Sequence, residues 1–219
     1  MLSFLLLTSL LFSGVIPEDV SGYNKLSWFL QITDIHISTV QDKSRADQFR
    51  LFSQDYLRIY NPDLVICSGD LTDAKIKGGL SSAQVDEEWK LYYDIVRNRS
   101  REVPWLDIRG NHDTLNVLSR NSENNKFRNY SVMGRQGFTH SYIHSTRIRN
   151  QQYNFVGIDA TLETGLRYPF NFVGDIPESE QNLIRNLTSS INAEDVTIFF
   201  GHYLFLLLLL FVVSVGYCI

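Results

Sequence analysis

The sequence predicts an α/β fold built on a layered sheet, and three observations carry that prediction. Apolar runs of strand length alternate with stretches of helical spacing through the first half of the chain. Short motifs of Asp, His and Asn follow directly on those runs, and functional residues of α/β sheets collect at the carboxyl ends of strands. The second half reads as a hairpin, a helix and a last strand, with no internal repeat.

The elements follow in chain order. Leu26 to Ile32 is aromatic and aliphatic, reads as a buried strand, and runs into Thr33-Asp34-Ile35-His36. Phe49, Phe52, Tyr56 and Ile59 recur at helical spacing until Asn61-Pro62-Asp63 stops the helix. Leu64-Val65-Ile66-Cys67 is a second strand, ending in Ser68-Gly69-Asp70. Gly78-Gly79 marks a loop, Ser81 and Gln84 have capping-box spacing, and Val85, Trp89, Tyr92 and Val96 form a helix face. The run Val103 to Ile108 is a third strand, delivering Gly110-Asn111-His112-Asp113, where the glycine is expected to permit a sharp turn.

Beyond Ser119 the chain turns polar. Phe138 to Ser145 and Tyr153 to Asp159 read as a hairpin, and Gly165 to Gly174 as a long loop. Asp175 to Thr188 is a helix with Pro177 in its first turn, Glu178 and Glu180 at the positive dipole end, and Leu183, Ile184 and Leu187 as its buried stripe. Val196 to Phe200 is a last strand and delivers Gly201-His202.

The ends differ from this body. Leu2 to Ile16 is nearly all apolar, too short to span a bilayer comfortably, and leads to a small-residue site at Val20-Ser21-Gly22. Residues 1–22 are therefore expected to be a signal peptide, with an uncleaved signal anchor as the rival. Residues 204–219 form an apolar tail, a candidate membrane segment, which leaves 23–203 as the domain. The sequons Asn98-Arg99-Ser100, Asn129-Tyr130-Ser131 and Asn186-Leu187-Thr188 agree with a secretory, membrane-associated or extracellular glycoprotein.

Bulk composition mostly excludes. At 219 residues and 44% hydrophobic, the chain fits one packed domain rather than a disordered one. A net charge of -4 gives no nucleic-acid-binding face. The basic residues from Arg120 to Arg149, opposed in that stretch by Glu123 alone, are expected to face solvent rather than a substrate. Cys67 and Cys218 make no disulfide framework. A Rossmann-type nucleotide site lacks its Gly-x-Gly-x-x-Gly after the first strand.

Four strand-end motifs stand in order: Asp34-x-His36, Gly69-Asp70-x-x-Asp73, Gly110-Asn111-His112-Asp113 and Gly201-His202. Together they resemble the calcineurin-like metallophosphoesterases over approximately Leu26 to His202. The text around Asp34 and Asp70 is similar to a membrane-anchored branch related to transmembrane protein sixty-two. The resemblance implies a metallophosphoesterase-type β-sandwich flanked by helices, and a phosphoester substrate. It implies two divalent or trivalent ions, Mn, Fe or Zn, since carboxylate, imidazole and amide oxygen donors suit such metals better than Ca. Asp34 and His36 would hold the first ion, Asp70 would bridge, and Asn111 with His202 would hold the second. His112 would be the general acid, with the Asp73 carboxylate orienting its ring. Asp113 has no assigned role beyond capping the segment that starts at Thr114. His140 and His144, expected on one face of a strand, are left out of the metal set.

One family element is missing. The pattern closes on Gly-His-x-His, and no histidine follows His202 in this sequence. The expectation is a chain cut before its last motif, so that hydrolysis by this product is impaired. The alternatives are a shortened protein with a real membrane anchor, and a catalytically silent membrane-associated glycoprotein of the same family.

Overall fold

A computed structural model of the chain describes residues 26–76, 81–167 and 170–203; the leader, the Gly78-Gly79 loop and the apolar tail lie outside these. The first sheet is parallel, in the order β1 (Phe29–Ile32), β2 (Leu64–Cys67), β3 (Trp105–Asp107). Leu30 pairs with Val65, and Ile66 with Leu106, so the loops after all three strands emerge at one edge. All four residues of β2 are buried, which is what an unbroken Leu-Val-Ile-Cys run in a central parallel strand should give. The second sheet is mixed: β4 (Tyr142–Ile148) and β5 (Gln151–Ile158) form the expected hairpin, and β6 (Val196–Gly201) adds parallel to β5.

Helices make the parallel connections. Between β1 and β2 the chain runs through α1 (Ser44–Leu51), a π-helical turn over Phe52–Tyr56, and α2 (Leu57–Tyr60), which ends on Asn61 at φ 45°. The π turn corrects the sequence reading of this face. Its wider winding rotates the following turn, so Phe49, Ser53 and Leu57 point inward while Tyr56 and Ile59 are exposed. Helix α3 (Asp86–Arg99) joins β2 to β3 and buries Trp89, Tyr92 and Val96 as expected. Its capping box is not formed, because Val85 occupies the N-cap without a side-chain bond and Gln84 is committed elsewhere. Short α4 (Phe127–Tyr130) follows β3. Helix α5 (Glu178–Thr188) links β5 to β6, with Pro177 at its N-cap; Leu183, Ile184 and Leu187 are only half-buried.

The two sheets meet through aromatic side chains. Phe29 of β1 packs edge-on against Tyr153 and Phe155 of β5, at centroid distances of 5.3 and 5.0 Å. The Tyr142 hydroxyl donates to the Asp107 carbonyl at 2.9 Å, tying β4 to β3. The basic stretch faces solvent at Arg128, Arg135, Arg147 and Arg149, as expected, but Arg120 is buried against Asp159 and Glu163, and Lys126 meets Asp86. Among the described residues no helix is long and apolar enough to cross a membrane.

Candidate metal centre

The loops leaving the first sheet continue its pairing without being regular strands. Asp34 N donates to Gly69 O at 3.1 Å, and His36 N to Asp70 O at 2.9 Å. Asp34, His36 and Asp70 have φ of 54°, 48° and 53°, a left-handed conformation that is rare outside glycine and that curls these loops back on themselves. Such backbone costs of order 1–3 kcal/mol per residue and persists where surrounding contacts over-determine it.

Two glycines let the loops touch. A Cβ on Gly110 would lie 2.3 Å from the Asp70 nitrogen, and one on Gly69, at φ +96°, would lie 2.7 Å from Gly110 N and 2.9 Å from the His202 ring. Gly110 therefore serves close approach, whereas the left-handed turn belongs to Gly69. The cap expected of Asp113 is also absent. Its fully buried carboxylate accepts from the amides of Leu71, Thr72 and Gly110, at 3.0, 3.1 and 2.9 Å, and so clamps the Asp70 loop to the Asn111 loop. Burial, with Asp70 nearby, raises its pKa to about 7.

These contacts bring all seven site side chains named from the sequence to one place. His36 Nε2 is 3.3 Å from Asp70 Oδ2 and 3.6 Å from Asp34 Oδ1. His202 Nε2 is 3.0 Å from Asn111 Oδ1 and 3.5 Å from Asp70 Oδ1, and its Nδ1 faces the Ser68 carbonyl at 3.0 Å. The His36 and His112 rings meet edge to face at 4.4 Å. His112 Nδ1 lies 2.6 Å from the backbone carbonyl of Asp73, while the Asp73 carboxylate stands 3.6 Å away. The nearer orienting group is thus the Asp73 main chain.

Charge follows this crowding. The bond to His36 holds the Asp34 carboxyl down at about 2 against the effect of burial. Burial works to lower the pKa of His36, but Asp34, Asp70 and Asp73 together raise it. Burial lowers that of His112.

Two overlapping groups of atoms are able to hold a metal ion: His36 with Asp70 and His112, and Asp34 with Asp70 and His202, the atoms of each lying within 4.8 Å of one another. The donor set fits such a role. Carboxylate and imidazole converge with an amide oxygen at hand, His36 presenting Nε2 to Asp34 and Asp70 and His202 presenting Nε2 to Asn111 and Asp70. His140 lies elsewhere, at 3.0 Å from Glu180, and His144 is half-buried on β4; neither belongs to these groups.

Three supporting side chains escaped the sequence reading. Gln84 donates to the carbonyls of His112 and Leu115, both at 2.9 Å, and accepts from the Trp89 indole, so it holds the 3-10 turn His112–Thr114 from below. Buried Glu88 accepts from the Thr39 amide at 2.9 Å and the Ala74 amide at 3.0 Å, bridging the loops that carry His36 and Asp73. Asn171 donates to the Asn111 carbonyl at 2.8 Å. Only Glu88 left a signal, as an acid one turn ahead of Tyr92 on the buried face of α3.

Comparison with known proteins agrees with this geometry. The chain is 39% identical over 189 residues to "Transmembrane protein 62" of Mus musculus, covering 85% of this chain and 29% of that protein. It is 35% identical over 193 residues to "Putative metallophosphoesterase At3g03305" of Arabidopsis thaliana, covering 81% and 25% respectively. The chain thus spans less than a third of the length of either relative. The family implies divalent metal ions, for which the two ligand groups around Asp70 are present. Residues 27–206 match the family described as calcineurin-like phosphoesterase, and the chain belongs to that family.

Proposed function

We propose that this chain is a metal-dependent phosphoester hydrolase with a two-ion centre, in which Asp34 and His36 serve one ion, Asn111 and His202 the other, and Asp70 both. The carrying observation is that Asp70 belongs to both ligand groups, one oxygen facing His36 and the other His202. Ions held there, of Mn, Fe or Zn type, would supply Lewis-acid polarisation of the phosphoryl oxygens.

The rest falls to the chain's own side chains. His112 donates Nδ1–H to the Asp73 carbonyl, which fixes that proton and leaves Nε2 to carry the transferable one. A water oxygen bonds to phosphorus as the ester P–O bond breaks, the departing oxygen takes the Nε2 proton, and the proton lost by the attacking water passes to solvent, from which His112 is reprotonated. Burial lowers the pKa of His112, so its protonated form is the stronger acid but the scarcer one at neutral pH. A general acid contributes typically ~10²–10⁴-fold. His112→Ala should therefore lower turnover of an aryl phosphate by that factor in the purified chain, with bound metal measured alongside, since His112 also stands in one ligand group and loss of metal would make it a ligand rather than the acid. Less than about one ion per chain, with no His112-dependent turnover, overturns the proposal.

Hydrolysis at an ordinary rate would exclude the alternative reading, a catalytically silent membrane-associated glycoprotein of the same family.

Location is read from the resemblance to Transmembrane protein 62, the apolar end segments and the sequons. Asn98, Asn129 and Asn186 are all exposed, which supports a secretory glycoprotein. Enzymatic deglycosylation of the chain from secretory cells should increase its gel mobility, and an unchanged band counts against that route.

A further inference from the structure

A groove of about 260 Å³ lies between the C-terminal part of α3 and the segment from Tyr130 to Gln136, and it shares no residue with the candidate metal centre. Glu88, near the start of α3, reaches the loops of that centre. The nine residues from Glu88 to Arg97 rise about 13 Å along the helix, so the two places are separate.

The more buried lining is aromatic and aliphatic. Tyr93 and Tyr130 are half-buried and meet edge to face at 6.5 Å, and Val96 and Val132 line the groove with them. The exposed lining is cationic: Arg97, Arg101 and Arg135, with no acid among the described residues that line it. The guanidinium carbons of Arg135 and Arg97 lie 4.6 and 5.7 Å from the centre of the Tyr93 ring, so the two charges stand within about 10 Å of each other, a range at which salt does not fully screen their repulsion. Arg97 has Asp94 at 3.4 Å, but the guanidiniums of Arg101 and Arg135 have no carboxylate or carbonyl partner among the described residues. A guanidinium held over an aromatic ring keeps its in-plane fork of donors for an oxyanion, which it takes in bidentate fashion. There is room for more than the oxyanion, since a cavity of roughly 150 Å³ already holds a benzene ring. The volume is below the roughly 300–1,000 Å³ of a drug-sized pocket, which suits one small ester rather than a stretch of polypeptide.

We infer that this groove is a second binding site, for a phosphate or sulfate monoester of a flat ring or sugar, in which Arg135 anchors the oxyanion and Tyr130 packs against the body behind it. The site stands apart from the hydrolase reading and does not depend on it. An ester of this kind is either a free small molecule or the headgroup of a lipid.

The test is calorimetric titration of the full chain with para-nitrophenyl sulfate, inorganic sulfate and the neutral para-nitrophenyl glucoside. Sulfates are the probes because they are not phosphoesters. Since the sequon residues Asn98 and Asn129 adjoin Arg97 and Tyr130, the chain is titrated as isolated and after enzymatic deglycosylation, and binding by either form supports the site. Para-nitrophenyl sulfate should bind one to one and more tightly than inorganic sulfate, and the glucoside should not bind. Arg135→Ala should weaken the sulfate ester about tenfold, the scale of one hydrogen bond to a charged group. Arg135→Lys should restore part of the affinity, and Tyr130→Ala should erase the advantage over inorganic sulfate, with any turnover of an aryl phosphate unchanged. Flotation with phosphatidylcholine vesicles, with and without a phosphoinositide, then separates the sources: Arg135-dependent flotation with the phosphoinositide identifies a headgroup, and sulfate-ester binding without flotation identifies a free ester. No binding of either sulfate by either form, equal binding of the glucoside, or binding untouched by Arg135→Ala in a chain with unchanged circular dichroism overturns the inference.

Discussion

Each sheet of this protein ends on a fully buried aspartate, and the two live in opposite electrical surroundings. Asp107 closes β3 in the parallel sheet and accepts from the Tyr92 hydroxyl at 2.9 Å and the amides of Val132 and Met133 at 2.7 and 2.8 Å. Asp159 follows β5 in the mixed sheet and accepts from Arg109 Nε and Arg120 Nη1, both at 2.8 Å, and from Thr161. Both carboxylates are saturated with hydrogen bonds. Yet burial pushes Asp107 up to about 6, while at Asp159 the same burial is overcome by Arg109 and Arg120, which hold it at about 2. Neutral donors satisfy a carboxylate; only the cations offset the loss of water around its charge.

The largest expected effect comes from breaking the cationic corner. Asp159→Ala strands the buried Arg109 guanidinium and leaves Arg120 with Glu163 alone, and should cost about 3–5 kcal/mol in urea unfolding. Asp107→Ala leaves two amides and a hydroxyl unpaired and should cost about 1–3 kcal/mol. A larger loss at Asp107 would reverse the ranking that the charges impose.

Next in size is a pH dependence of opposite sign at the two sites. Asp107 has a folded pKa raised above its unfolded value of 3.8, so its contribution to stability is present below about pH 4 and is lost as pH rises to about 6. At 1.36 kcal/mol per unit this is about 3 kcal/mol. Asp159 has a folded pKa below its unfolded 3.8, so about 2 kcal/mol present above pH 4 is lost as pH falls towards 2. Urea midpoints of Asp107→Asn should lose the decline between pH 4 and 6, and those of Asp159→Asn the decline below pH 4. Parallel pH profiles for the wild type and either variant would remove the basis of the contrast.

The same contrast explains what could be read from the chain beforehand. Leu64 to Cys67 announced a central strand because nothing in it tolerates water, and Asp34, His36, Asp70, Asn111 and His202 stood out because each ends such a run. What stayed hidden depends on partners distant in sequence. Arg120 looked like a solvated cation, and its counter-charges Asp159 and Glu163 lie 39 and 43 residues away. Gln84 looked like half of a capping box, although its acceptors on His112 and Leu115 are reached only after β3 has folded beside β2. The inward face of the helix after β1 was misread for a local reason: a periodicity argument assumes one winding, and the π turn at Phe52–Tyr56 changes it.

Glu88 is another fully buried acid and gives the smallest and most selective test. Like Asp107 it accepts from neutral donors only, the Thr39 amide and hydroxyl and the Ala74 amide, and burial raises its pKa. Unlike Asp107 it joins two loops of the candidate centre, one following His36 and one following Asp73. Glu88→Gln keeps one acceptor oxygen for Thr39 and turns an amino group towards the Ala74 amide, so that bond is lost while the fold keeps its shape. The expected cost in unfolding is about 1 kcal/mol. The Asp73 carbonyl that fixes His112 Nδ1 sits one residue before Ala74, so its drift should lower kcat on an aryl phosphate several-fold with KM nearly unchanged. Equal proportional losses in both constants, or none, would leave Glu88 with a role in stability alone.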